Sequence, residues 1–534
     1  MKFPELFLIT LLIGLTGGYK ILYYIPRFGK SHVNFSGKIV DILAAAGHDV
    51  VVYQPIVDET MKVTGSHEKS VRYYFKAKNE SLKVDGTLQS QQELVWKNEG
   101  LKKMKEIMDE MYILKYAVCK DVIHDEENLS KLKAENFDLG ISELFESCGF
   151  GIFELLGIKK IVATHSGGLN TGFSRILGIP SPILGIPSPF SFLPSIMAHF
   201  PQEMTFFQRV QNYIFSLIEI PLFDGLLINS VNEAMKEKIP NFDVRLIIRE
   251  TAMIFVNSDE LVDYTTPSTP KLVSIGGLGH VKPKPLAPEY QAIFDSSKKG
   301  VIFFSFGSVV QASSMPENIK NAFLEAFEEF PDINFIWKYE KDEHEIAKNL
   351  KNVFTAKWLP QNEILEHEKL LAFISHGGMN SVTEAATKGV PMICIPVFGD
   401  QPHNAQMMKD RGVGVIVQKD NITKKSIVAA INEILSNPNF KQNAKRLSRM
   451  VKAKPMTAEE RVVKFTEFAA EFGDSGAFQS EGRHLSYFQL HSLDVIAFLI
   501  AIISFASFST LLIVFCLLRK LCNKFITSSH PKQD

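Results

Sequence analysis

Cysteine is scarce here, at five in 534 residues. Cys516 and Cys522 lie in or beside an apolar C-terminal run. That leaves Cys119, Cys148 and Cys394, which make no disulfide framework and show no metal-ligand spacing. Neither charge is in surplus, since 58 Lys and Arg stand against 59 Asp and Glu for a formal net charge of −1. With no long basic run either, nothing favours a nucleic-acid partner. Apolar residues, by contrast, make up 46% of the chain, enough for large cores at a length that suits two ordinary domains.

Long apolar runs occur only near the ends. Lys2 and the run 6–16, followed by Gly17 and Gly18, have the charge, length and small residues of a cleaved signal peptide over 1–18. Near the other end, 493–518 is expected to be a transmembrane helix. Its residues 495–518 carry no charge, and Arg519, Lys520 and Lys524 follow at once, marking 519–534 as a cytosolic tail. The expectation is a single-pass type I membrane protein with its bulk in a lumen, most simply that of the endoplasmic reticulum. Lys532 there lacks the second lysine of a dilysine signal. Sequons at Asn34, Asn79, Asn128 and Asn421 all fall on the predicted lumenal side.

Between the ends the pattern is α/β. Residues 20–25 read as a strand, 28–34 as a loop, 33–46 as an amphipathic helix and 50–53 as the next strand, the opening of a parallel sheet. The charged stretch 68–131 reads as helical or irregular. Strands return at 137–141, 160–164, 251–257 and 271–275, with a helix at 151–156. The heptad ILGIPSP occurs twice in tandem at 176–189, either a local duplication lengthening a proline-rich loop or a fault in the assembled sequence. Residues 276–289 are the best linker, rich in Gly and Pro. A first domain over 19–275 and a second over 290–455 follow, with a helix at 458–472 inside a connector, 456–492, to the membrane. Neither domain shows GxGxxG after its first strand, which argues against a dinucleotide-dependent oxidoreductase.

The second domain is organised around residues 371–401. An apolar strand ends at His376, Gly377 and Gly378 turn the backbone close to a ligand, a helix follows from Asn380, and a second strand leads to Asp400 and Gln401. Such a turn aims amides and the positive end of a helix dipole at one spot outside the sheet, which suits a diphosphate.

At this point the residues resemble a known family. WLPQNEIL (358–365) and FISHGGMNSVTEAATKGVPMICIPVFGDQPHNA (373–405) are similar to the signature of UDP-glycosyltransferases. MTFFQRVQN (204–212), FSFGSVV (304–310) and YFQLHSLDVIAFL (487–499) resemble the membrane-bound UDP-glucuronosyltransferase branch. The resemblance implies a GT-B fold, two Rossmann-like domains facing a cleft, and inverting transfer from a UDP-sugar co-substrate with no metal or other cofactor. By the same resemblance Trp358 stacks on uracil and Gln361 contacts the nucleoside. Ser308, His376, Asn380 and Ser381 hold the diphosphate, Glu384 binds the ribose, and Asp400 and Gln401 bind the sugar. Each admits a plainer role when taken singly. Ser381 and Glu384 have the spacing of a capping box, and Asp400-Gln401-Pro402 that of a helix entry.

His32 is the candidate base for an acceptor hydroxyl, its imidazole suited by a pKa near working pH. In the family an aspartate stands behind it. Here Glu143, in FDLGISE (137–143), takes that position with one more methylene, about 1.5 Å of extra reach. The apolar, Phe- and Pro-rich region 60–250 favours a small lipophilic acceptor. The motifs do not choose between UDP-glucuronate and UDP-glucose, since no basic partner for a glucuronate carboxylate stands out. A non-catalytic membrane binding protein on the same fold, and a homo-oligomer, are left open.

Overall fold

A computed structural model describes residues 18–79, 96, 101–168, 189–195, 200–278, 285–308 and 310–528. Residues 1–17 of the expected signal peptide, and the tandem heptads through residue 188, lie outside the described residues.

Two parallel sheets carry the chain. The first holds β1 (Lys20–Tyr24), β2 (Asp49–Pro55), β3 (Arg72–Lys76), β4 (Leu139–Glu143), β5 (Ile161–His165), β6 (Met253–Val256) and β7 (Leu272–Ser274), in the order β3-β2-β1-β4-β5-β6-β7. The second holds β8 (Gly300–Ser305), β9 (Ile333–Lys338), β10 (Val353–Ala356), β11 (Leu370–Ser375), β12 (Met392–Cys394) and β13 (Gly414–Ile416), in the order β10-β9-β8-β11-β12-β13. β4, β5, β6 and β8 are buried along their whole length, as expected of strands covered by helices on both faces. Strand order reverses between β1 and β4 in one sheet and between β8 and β11 in the other. Beyond the carboxyl ends of those strands the diverging connections leave a crevice, the general place for a ligand in such sheets.

Helix α1 (Lys30–Ala45) begins inside the stretch 28–34 expected to be a loop. Its N-cap, Gly29, is extended and offers no side-chain cap, and the first turn has no acidic residue, so the usual start signals were missing from the sequence. β3 corrects a second reading, because it falls in the charged stretch expected to be helical or irregular. As the edge strand it has only exposed and half-buried positions, without the apolar run that marks the central strands.

The cysteine reading also needs correction. Cys119 on α2 (Leu101–Ile123) and Cys148 at the start of α3 (Cys148–Leu156) form a disulfide. Their spacing of 29 residues carries no motif; the pairing arises because the two helices pack into one apolar cluster with Leu22, Val51 and Phe150.

In the second half, α4 (Met379–Lys388) follows β11 and α5 (Gln401–Asp410) follows β12. A helix over Pro288–Ser296 starts before the expected linker ends. Helix α6 (Ala458–Phe472) returns to the first sheet, where Val462, Ala469 and Ala470 are buried with Ile21, Ile39 and Phe255. The chain thus crosses twice between the two halves. Last, α7 (Leu493–Ser528) presents 33 residues, Leu493–Phe525, long and apolar enough to cross a membrane and unburied by the rest of the protein. It fits a membrane anchor.

Candidate active site

The reversal point of the first sheet brings His32 and Glu143 together. His32 sits in the first turn of α1, after β1; Glu143 is the last residue of β4. Both carboxylate oxygens of Glu143 lie 2.9 Å from His32 Nδ1, so the extra methylene of glutamate is accommodated in full. A carboxylate only accepts, which places the proton on Nδ1 and leaves Nε2 as the basic nitrogen. Ser166, directly after β5, completes the arrangement: its amide donates to Glu143 Oε1 at 3.1 Å and its Oγ lies 3.0 Å from His32 Nδ1. The ring also stacks on Phe145, with centroids 5.0 Å apart. Burial lowers the imidazole pKa, but the charge and hydrogen bond of Glu143 outweigh it and the net direction is upward. Burial would raise the Glu143 carboxyl; His32 and Ser166 instead hold it well below the ordinary carboxylate range.

The reversal point of the second sheet gathers the nucleotide candidates. Ser308 is exposed in the turn after β8, and His376 follows β11. The His376 ring lies between two glycines: a Cβ at Gly307 would come within 2.8 Å of its Cε1, and one at Gly378 within 2.6 Å of its Nε2. Gly378 is therefore required for room, whereas the left-handed turn itself falls on Gly377, at φ +81°. Burial, and then the charge of Lys338, lower the His376 pKa to about 4, so this ring is neutral near pH 7 and acts as a hydrogen-bonding group. Helix α4 begins at Met379 with Gly378 as its N-cap, which overturns the capping-box alternative. Asn380 and Ser381 occupy its first turn, where backbone amides lack helical partners. Glu384, one turn on, accepts from Gln361 Nε2 at 2.5 Å, so the ribose and nucleoside candidates already touch. Burial raises the Glu384 carboxyl against the pull of Lys38, which reaches it from α1.

Asp400 and Gln401 serve the fold as well. Asp400 is the N-cap residue of α5 and its carboxylate accepts from Asn404 Nδ2 at 2.8 Å. Gln401 Oε1 takes the amides of Val397 and Phe398 at 2.8 and 3.1 Å, leaving its Nε2 end for other partners. The helix-entry reading is thus correct without displacing the other. Burial raises Asp400, opposed by Asn404, His403 and also His32, so the two sheets' sites are within electrostatic reach of each other.

Four residues that sequence reasoning passed over lie at the same crevice. Lys30 Nζ stands 4.3 Å from the centroid of the Trp358 ring, which is 63% exposed and so available as a platform. Lys338 ends β9 and bonds the Gly307 carbonyl. Ser166 braces the dyad. Asn257, directly after β6, reaches across the crevice to Asn380. Their shared signal is position, immediately inside or beyond the carboxyl end of a parallel strand or in the helix turn that follows.

Comparison with known proteins agrees with the geometry. The family model described as UDP-glucoronosyl and UDP-glucosyl transferase matches residues 20–529. A Caenorhabditis elegans protein named as UDP-glucuronosyltransferase ugt-48 is 32% identical over 97% of each chain. UDP-glucuronosyltransferase 1A6 of Oryctolagus cuniculus is 29% identical over 92% of this chain and 90% of its own length. Among solved structures, the glycosyltransferase of kitacinnamycin aligns with a TM-score of 0.57 at 16% identity, covering 85% of this chain and 99% of that one. The spinosyn forosaminyltransferase SpnP aligns at 0.55 and 17%, covering 85% and 99%. At these identities the structural likeness shows the GT-B fold.

Proposed function

This chain belongs to the UDP-glucuronosyl and UDP-glucosyl transferase family and is a GT-B glycosyltransferase drawing on a UDP-sugar; from that premise we propose that it transfers glucuronic acid from UDP-glucuronate to a hydroxyl of a small lipophilic acceptor, with inversion. One observation carries the reading: His32 Nδ1 is held by both oxygens of Glu143 at 2.9 Å, with Nε2 left as the base. Nε2 takes the acceptor's proton as its oxygen attacks the anomeric carbon, UDP leaves from the opposite face, and Glu143 stabilises the imidazolium. The first-turn amides of α4, with Asn380, Ser381, Ser308 and neutral His376, receive the diphosphate charge without a metal. Trp358 and Gln361 take the uridine base, Glu384 the ribose, and Asp400 and the Nε2 end of Gln401 the sugar. The first half (19–275) houses the acceptor and the second (290–455) the donor.

The Cys119–Cys148 disulfide supports an oxidising, lumenal setting for the domains, with α7 as the type I anchor. A formed dyad speaks against a non-catalytic binding protein. UDP-glucose is the second donor reading, because the matched family covers both sugars.

Transfer of radiolabel from each UDP-sugar to a panel of phenols, in isolated membranes, tests the reading. Label is expected from UDP-glucuronate; label from UDP-glucose alone reverses the donor assignment, and none from either removes the activity. His32→Ala is expected to lower transfer by about 10²-fold or more while UDP still binds. Full activity in that variant removes His32 from the mechanism.

A further inference from the structure

We propose that Asn257 is a positioning residue that sets the donor-binding helix and the base in register across the crevice. Its side chain is buried, 2% exposed, and its Nδ2 donates to two groups. One is the Ser166 carbonyl at 2.8 Å; the other is Asn380 Oδ1 at 2.9 Å. The amide orientations follow from chemistry. A carbonyl only accepts, so the Asn257 atom facing Ser166 is the NH2 nitrogen. The same nitrogen faces Asn380, so Asn380 presents its oxygen there. The Asn380 amide is thereby turned with its own NH2 away from Asn257, and two N–H donors are left for an anion at the first turn of α4. The other arm ends on Ser166, whose amide and hydroxyl brace Glu143 and His32. One buried amide therefore fixes the direction of a leaving-group donor and the seat of the base, from strands in different sheets.

This assignment rests on the donor reading of Asn380 proposed above, and its failure is separable from failure of that activity, because UDP binding needs no transfer. The test is a double-mutant cycle on UDP affinity, measured by calorimetry with the full chain in detergent. Asn257→Ala is expected to weaken UDP about 10-fold in the native background and less than 2-fold in Asn380→Ala, because it acts through Asn380. Should Asn257→Ala fail to fold, Asn257→Leu keeps the volume, removes the donor and is held to the same cycle. The Ser166 arm is read from turnover: the acid limb of the kcat–pH profile is expected to shift in the Asn257 variant and to keep its position in Asn380→Ala. Unchanged UDP affinity, or equal weakening in both backgrounds, overturns the coupling to Asn380. An unmoved acid limb overturns the coupling to the base.

Discussion

Glu143 is the residue on which the pH behaviour turns. It draws the His32 pKa upward against burial, so replacing it by an uncharged isostere leaves burial opposed only by Glu146, with Lys115 on burial's side, and lowers that pKa. In the proposed mechanism the base works deprotonated, so transfer is expected to fall on the acid side as His32 gains its proton. Glu143→Gln is therefore expected to move the acid limb of the kcat–pH profile to lower pH while reducing the plateau by about 10²-fold, since the imidazolium formed during transfer loses its counter-charge. An acid limb that stays in place shows that Glu143 does not set the base. His32 stood out in the sequence by its place after the first strand, and Glu143 and the donor-motif residues by their resemblance to the family. Lys30, Ser166, Lys338 and Asn257 did not. They are common residue types whose meaning appears only when strand order sets the ends of β1, β5, β6 and β9 around one crevice.

At the scale of elements, central strands were the easiest to read and edges the hardest. β1, β4, β5, β8 and β11 are apolar runs covered on both faces, and their sequence says so. β3 at the edge, and the short β10 and β13, carry weaker patterns. The start of α1 was missed for want of a cap, although that turn is where His32 stands. The disulfide between α2 and α3 was invisible for a different reason: two cysteines 29 residues apart pair only when helix packing makes them neighbours. Closing a loop of that length restricts the unfolded chain by about 3–4 kcal/mol in the chain-entropy account. Cys148→Ser, which also leaves Cys119 buried among apolar groups, is expected to lower the first half's resistance to urea by a comparable amount. Denaturant titration followed by a probe in that half checks this; an unchanged midpoint means the cross-link adds nothing to the packing of α2 on α3.

For the whole molecule the question is what makes two sheets behave as one machine, and residues 257–264 supply much of the answer. From the end of β6 this short stretch meets the second half and the returning chain repeatedly. Arg411 donates to the Val262 and Asp263 carbonyls at 3.1 and 2.5 Å, and Tyr264 bonds Asp410. Arg461 of α6 bonds Glu260 and the Ser274 carbonyl. Lys454, four residues before α6, sits 2.5 Å from Asp259 and 3.2 Å from Glu260. Separations of 146 to 201 residues put these pairs beyond any periodicity argument. Asp259 is 3% exposed and Lys454 15%, so deleting the lysine leaves a buried carboxylate without its counter-charge and with only the Leu261 amide on Oδ1, a loss of up to about 3–5 kcal/mol when no new partner is found. Lys454→Ala is accordingly expected to loosen the return of α6 before either sheet melts. Thermal unfolding should then resolve into two transitions where the native chain shows fewer. Turnover should fall as His32 and the donor lose their common frame, and UDP affinity should fall only as far as the Asn257–Asn380 bond is lost. Native unfolding together with native turnover in that variant means the ion pair is not what joins the halves, and the burden passes to Arg411, Tyr264 and Asn257.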